Sequence, residues 1–154
     1  MDIDDIDRRL LRELQRDAGL GVEELGARVG LSRNACWRRV RRLEETGTIR
    51  GRVALADPEA LGLPLMVFIS VRTDRHEPEW LERFTRAVAG LPEILGAYRV
   101  TGDLDYLLTA RVADVRAYDR LYQRLIRRVP LADISASFVM EEIKATTELP
   151  VGLA

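Results

Sequence analysis

A short stretch of this chain is dense in arginine. Seven arginines and two acidic residues lie between Leu31 and Arg52, which gives these 22 residues a net charge of +5, although the 154-residue chain carries −1. Binding a polyanion such as duplex DNA requires several cationic contacts, and the distribution of charge matters more than its sum. The stretch therefore predicts a surface that binds nucleic acid.

The polar and charged residues of this stretch fall into two groups according to their position along the predicted helix. Polar groups near the start of a helix can reach base edges in the major groove, and four residues suit this role: Ser32, Arg33, Asn34 and Arg38. The other arginines suit contacts with the phosphate backbone: Arg39, Arg41, Arg42, Arg50 and Arg52. A solvated charged face is one alternative explanation. A metabolite-binding oligomeric module whose helices dock protein is another, and a weak dependence of binding on salt would favour it.

A second group of polar residues surrounds a glycine turn. Gly102 permits a tight hairpin between Val100 and Tyr106, with exposed backbone N–H groups and two carboxylates close by. An amino acid needs an acceptor for its ammonium group and donors for its carboxylate, and this loop offers both. Ser135 and Ser137 could line the same pocket, with Tyr98 and Tyr106 as walls. An ordinary hairpin with acidic turn residues is the commoner origin of such a sequence, and both explanations stay open at this point.

Other chemistry lacks the residues that it needs. Cys36 is the single cysteine, which excludes an internal disulfide and a multi-cysteine metal site, and it is expected to be a small buried residue. His76, the single histidine, lies in a polar loop. Trp37 borders the apolar side of its helix and is expected to pack there. The sequence contains no recognisable catalytic set, so it predicts no enzyme, no metal site and no cofactor.

The elements that carry the arginines are three short helices. Apolar residues at helical spacing predict a first helix that ends near Gly19 and a second helix around Leu25. Ser32 then caps a third helix that runs to about Thr46. A tight turn before a basic amphipathic third helix is the helix-turn-helix pattern, which is predicted for residues 1–50.

In the second half of the chain, the spacing of apolar residues changes from helical to a mixture of alternating and helical. A linker strand and hinge are predicted at residues 51–64, and residues 65–154 are predicted to form an effector-binding and oligomerisation domain. Within it, four strands are predicted at 65–73, 94–100, 105–112 and 134–143, and two helices at 78–90 and 115–129. The order strand, helix, strand, strand, helix, strand is the ferredoxin-like arrangement, so the expected fold class is α+β.

The first of these strands predicts a partner subunit. Its residues are apolar on both sides, with Val67 and Ile69 facing one way and Met66 and Phe68 the other. The helices of a ferredoxin-like domain cover one sheet face and leave the other bare. Burial of that second face against another copy predicts a homodimer.

Composition indicates a folded, cytoplasmic protein. Hydrophobic residues make up 47% of the chain, which is enough to bury a core. No apolar run approaches the roughly 20 residues of a membrane helix, and the acidic start is unlike a signal peptide. No membrane association is expected.

Several motifs together resemble the Lrp/AsnC (leucine-responsive and asparagine-responsive, or feast/famine) transcriptional regulators. They are the stretches 7–15, 29–32, 36–44, 55–58, 100–108 and 143–150, in the family's order along nearly the whole chain. One departure is Gly21, which stands where relatives often have Ser or Thr to cap the second helix.

The resemblance implies more than the residues show. It implies a winged helix-turn-helix, a βαββαβ effector domain, and dimers that often assemble further to octamers around which double-stranded DNA can wrap. An amino acid is implied as the effector, bound where dimers meet near the glycine hairpin. The effector contacts carried over by position are Thr101, Gly102, Asp103, Asp105 and Tyr106.

Overall fold

The structure is a computed structural model that describes residues 3–152. The chain divides into two compact units, one made of residues up to Ala54 together with the segment from Lys144, the other of Leu55–Ile143. The expected α+β fold class is confirmed. The segment 144–152, which the sequence grouped with the effector domain, lies with the helical unit because Gln15 and Leu149 exchange two hydrogen bonds, of 3.1 and 2.7 Å.

Three helices form the first unit: α1 (Asp5–Arg16), α2 (Val22–Val29) and α3 (Arg33–Glu45). Asp4 caps α1, since its side chain accepts a hydrogen bond from the Asp7 amide at 2.8 Å and the Asp7 side chain accepts one from the Asp4 amide. Ser32 caps α3 at 3.4 Å from the Ala35 amide. Gly21 precedes α2 and gives it no side-chain cap, as this departure from the family pattern predicted.

The turn between α2 and α3 is held tight by a close backbone approach. A Cβ atom built on Gly26 would lie 2.8 Å from the carbonyl oxygen of Leu31, so a larger residue would force the turn apart. Six buried residues from all three helices form the core beneath the turn: Leu10, Leu14, Leu25, Val29, Cys36 and Val40. The helix-turn-helix is therefore fixed by its own packing.

The second unit has the predicted strand and helix order: β1 (Leu65–Arg72), α4 (Pro78–Ala89), β2 (Ile94–Arg99), β3 (Tyr106–Val112), α5 (Val115–Arg128) and β4 (Asp133–Phe138). The four antiparallel strands lie in the order β2-β3-β1-β4, with Ile69 opposite both Leu108 and Ala136. Alternate residues of β1 and β3 are buried together with side chains of α4 and α5. The helices thus cover one face of the sheet, which we call the helix face; we call the other the open face.

Two predicted strands differ from the structure. The last strand ends at Phe138 instead of Ile143: Phe138 lies opposite Val67, so only Met66 and Leu65 of β1 remain beyond it and residues past 140 have no partner there. The linker strand predicted within residues 51–64 was wrong: residues 51–57 are exposed and unpaired with any described strand, and turns follow at residues 58–62.

Candidate DNA-binding surface and effector hairpin

The exposed side of α3 is set by its buried side. Cys36, Val40 and Leu43 are buried, which leaves Arg33, Asn34 and Arg38 exposed to solvent. We call these three exposed residues the outer edge of α3. Among residues 3–152 no hydrogen bond or ion pair engages the side chains of Arg33 and Arg38. The outer edge can therefore offer donors to base edges without first breaking an intramolecular contact.

Arg39 and Arg42 differ from the prediction. Arg39 donates to Asp4 at 2.6 Å and to Asp7 at 2.9 Å, and Arg42 donates to the other carboxylate oxygen of Asp7. The side chain of Asp7 is fully buried. The carboxylates of Asp4 and Asp7 raise the pKa of the Arg39 guanidinium. Within one chain these two arginines therefore join α3 to α1 through a buried acid, unlike the other predicted phosphate contacts.

The remaining predicted phosphate contacts stay at the surface. Arg41 lies 2.7 Å from Glu45, and Arg52 lies 2.9 Å from Glu44. Exposed ion pairs of this kind contribute at most about 1 kcal/mol, so both arginines can exchange a carboxylate for a phosphate. Arg50 is exposed.

Trp37 was expected to pack against the core and instead is 49% exposed. Its ring lies beneath the Arg41 guanidinium, 5.2 Å from centroid to carbon. Together with Val22 and Val40, Trp37 lines a hollow on the helical unit. Cys36, in contrast, is buried as expected, and burial raises the pKa of its thiol, which does not favour a reactive thiolate.

The hairpin between β2 and β3 exposes its tip. Gly102 adopts a φ of +108°, which favours glycine, and Thr101, Gly102 and Asp103 are all exposed. In the part of the chain that the structure describes, the amides of residues 101–104 have no intramolecular acceptor. The tip therefore offers free N–H donors and one carboxylate, the combination that an amino acid requires.

Asp105 has a structural role in the hairpin. Its carboxylate accepts a hydrogen bond from the Thr73 amide at 2.8 Å, its own amide donates to Val71, and its carbonyl accepts from Val100. These bonds fix the start of β3 against the end of β1. Within one chain the Asp105 carboxylate therefore supports the hairpin.

Tyr106 points away from any pocket on the open face. Its ring is buried on the helix face, with centroids 4.6 Å from Phe84 and 5.7 Å from Trp80. Tyr98 pairs with Leu107 and lies on the open face, 55% exposed. The expectation that these two tyrosines wall one pocket is wrong, because side chains of paired strands at these positions point to opposite faces.

Ser135 and Ser137 lie on the open face, as Tyr98 does, but far from it. Ser135 and Ser137 are exposed on β4, whereas Tyr98 lies on β2 at the opposite edge of the sheet. Three strand spacings amount to about 14 Å. One chain therefore does not bring the eight expected effector residues into one pocket.

Asp7 is the residue that the sequence argument missed. Its spacing from Leu10 and Leu14 places a carboxylate on the apolar side of α1, and that position was the available signal of a buried, paired acid. His76 is exposed, and residues 3–152 contain no group of three metal-ligating side chains. None of the described helices is long and apolar enough to cross a membrane.

Comparison with known proteins identifies both units. Residues 3–44 match the model of the AsnC-type helix-turn-helix domain, and residues 66–149 match that of the Lrp/AsnC ligand binding domain. The glutamate uptake regulatory protein of Zymomonas mobilis is 48% identical over 97% of this chain and 91% of its own length. The DNA-binding transcriptional activator DecR of Escherichia coli is 46% identical over 97% and 99%.

Solved structures of similar proteins belong to the same family. The AsnC family transcriptional regulator from Agrobacterium tumefaciens is 49% identical, with a TM-score of 0.93 and 96% of both chains covered. A regulator from Neisseria meningitidis in complex with L-methionine is 37% identical, with a TM-score of 0.94 over 98% of both chains. With both units matched and relatives aligned over nearly its whole length, the chain belongs to the Lrp/AsnC family and is a transcriptional regulator, not an enzyme.

Proposed function

We propose that the outer edge of α3 reads DNA bases and that the tip of the 100–106 hairpin binds an amino acid that changes DNA affinity. The observation that supports the first part is the contrast on α3: Arg38 is exposed and has no side-chain partner among residues 3–152, whereas Arg39 and Arg42 are tied to Asp7. Ser32, at the helix start, joins the base contacts, and phosphate contacts come from Arg41, Arg50 and Arg52. The base-reading domain spans residues 1–50 and joins the effector domain through the hinge at 51–64.

The effector part rests on the exposed tip and on relatives. Thr101, Gly102 and Asp103 offer N–H donors and a carboxylate. The regulators from Neisseria meningitidis and Mycobacterium tuberculosis have structures with L-methionine. For this chain, we infer an amino acid as the effector, with contacts from Thr101, Gly102 and Asp103.

Assembly follows from the open face of the sheet. Met66 and Phe68 lie there, half-buried within one chain, beside Leu107 and Thr109 of β3. Packing this face against a second copy gives a homodimer. Further association of dimers, up to an octamer, brings hairpin tips of different copies together and supplies the contacts that one chain lacks. The regulator works in the cytoplasm, where DNA is found.

The test of the DNA-binding part compares two matched arginine substitutions. A duplex selected by the wild-type protein from a random-sequence pool serves as the specific site. We expect Arg38→Ala to lose about 1–3 kcal/mol of discrimination between this duplex and random DNA. Arg116→Ala, which removes the same charge from the exposed surface of α5, should leave discrimination unchanged.

Two outcomes contradict the proposal. Equal discrimination by Arg38→Ala and Arg116→Ala would remove the outer edge from base reading. Binding that hardly falls with salt would favour the protein-docking alternative, since neutralising each phosphate contributes about −0.9 to the log–log slope. Family membership does not favour that alternative.

A further inference from the structure

The carboxylate of Asp7 lies between two helices and faces two cations. One oxygen accepts from Arg39 at 2.9 Å, and the other accepts from Arg42 and from the Asp4 amide. Its side chain is fully buried, whereas the side chains of Arg39 and Arg42 are 28% and 45% exposed. The acid is thus anchored inside the helical unit, and the arginines reach inward to it from the border of the exposed surface.

The buried acid and the exposed arginines depend on each other unequally. A buried carboxylate is costly unless it is paired and hydrogen-bonded, so Asp7 holds its partners firmly. A partly exposed guanidinium on a long flexible stem has a second option, because it can turn out to solvent once its acceptor is gone. Loss of the Asp7 charge would therefore release Arg42 and leave Arg39 held only by the exposed carboxylate of Asp4, a pair weak enough to exchange for a phosphate.

Release of Arg39 and Arg42 would add considerable positive charge to the exposed surface of α3. The helix α3 contains five arginines and two glutamates, and two of those arginines are bound to acids of the α1 start. Phosphate contacts supply most of the sequence-independent affinity for DNA and set its salt dependence. The number of arginines free on α3 therefore determines how strongly the protein binds random DNA relative to its specific site.

We propose that Asp7 is a positioning and specificity-determining residue: it withholds Arg39 and Arg42 from DNA and fixes α3 so that the outer edge reads bases. The inference rests on the DNA-binding role proposed above. Asp4 assists by accepting a second bond from Arg39, at 2.6 Å. A purely structural ion pair would stabilise the unit without changing how many cations meet DNA, so the salt slope distinguishes the two.

The test measures the affinity of the full-length protein for a random-sequence duplex as a function of salt. Asp7→Asn should bind this duplex more tightly than wild type, with a log–log slope steeper by about 1–2, or about 0.9 for each released arginine that meets a phosphate. Asp5→Asn is the matched control, since Asp5 is exposed in the same turn of α1. It should leave the slope unchanged. An equal slope for wild type and both variants would overturn the proposal.

A second pair of variants keeps the proposal testable if Asp7→Asn does not fold. Arg39→Gln should leave the salt slope at its wild-type value, because Arg39 does not meet DNA, whereas Arg38→Gln should reduce it or reduce discrimination between sites. A slope lowered by about 0.9 in Arg39→Gln would contradict the proposal. A wild-type protein without salt-dependent DNA binding would instead contradict the proposed function, so the two failures are distinguishable.

Discussion

The outer edge of α3 and the tip of the 100–106 hairpin differ in how much of a site one chain provides. The edge lies on a capped helix whose buried side is packed against α1 and α2, and its three polar side chains project from one element. At the hairpin, Asp105 and Tyr106 have intramolecular roles, and Tyr98 is remote from Ser135 and Ser137. On the proposed function, one chain therefore supplies the whole base-reading edge but only part of the effector site.

The difference has a physical basis. A helix in a groove needs only the outward side chains of that helix, and its core fixes their direction. An amino acid must be enclosed on several sides before its charged groups and its side chain are all recognised. A two-strand turn is too small to enclose it. We therefore expect DNA contact to depend on α3 directly and effector contact to depend on assembly.

The largest expected effect comes from breaking the dimer. Phe68→Asp places a charge on the open face, where burial against a second copy would leave it unpaired. The variant should be monomeric by sedimentation. Its affinity for a two-site duplex should fall by about 10²–10⁴-fold, because linked half-site binding is lost.

The control for this variant is Leu81→Asp. Leu81 is 42% exposed on α4, in the helix layer and not on the open face, so the same substitution there should leave the dimer intact. A dimeric Phe68→Asp protein would show that the open face is not the subunit contact.

The next effect separates the two acids of the hairpin. Asp103→Ala should weaken effector binding by about 10- to 100-fold, equivalent to a charged hydrogen bond of about 1.5–3 kcal/mol, with unchanged stability. Asp105→Ala should instead lower the free energy of unfolding by about 1–3 kcal/mol, because the amide of the buried Thr73 loses its acceptor. Calorimetric titration of both variants measures effector affinity, and thermal melting measures stability. A destabilised Asp103→Ala protein together with an Asp105→Ala protein that only loses affinity would contradict the assigned roles.

Most of the fold was predictable from sequence because its signals are local. Ser32 as a cap and the alternation of Tyr106 with Leu108 along β3 follow from neighbouring residues. The alternation also implied that Tyr106 shares the core face of Leu108, so its buried ring could have been foreseen. The inward turn of Arg39 could not, since helical periodicity does not reveal which acid of another helix lies beside it. The length of β4 likewise depended on where its partner strand begins.

A smaller effect concerns the segment 144–152. Gln15 exchanges hydrogen bonds with the backbone of Leu149, and Arg16 lies 3.2 Å from Glu148. Gln15→Ala should lower the free energy of unfolding by no more than about 1–2 kcal/mol, since these bonds are exposed to water. It should also speed hydrogen exchange at the Leu149 amide. Unchanged exchange there would mean that the segment is held by other contacts.

The smallest effect is a dependence of stability on acid. Two hydrogen bonds lower the pKa of Asp4 below its usual 3.8: the Asp7 amide has the larger effect and the Arg39 side chain the smaller. A carboxylate whose pKa is lowered by folding stabilises the protein above its unfolded pKa and loses this contribution as pH falls through the folded value. Wild type should therefore melt at a higher temperature than Asp4→Asn near neutral pH, and the difference should shrink below about pH 4. A difference that persists or grows in acid would contradict this.

The contrast between the two sites is tested most directly by titrating the monomeric Phe68→Asp protein with the amino acid that most raises the melting temperature of wild type. We predict that the monomer keeps its folded hairpin but shows no heat of binding at concentrations that saturate wild type. Binding to the monomer with wild-type affinity would show that one chain suffices for the effector.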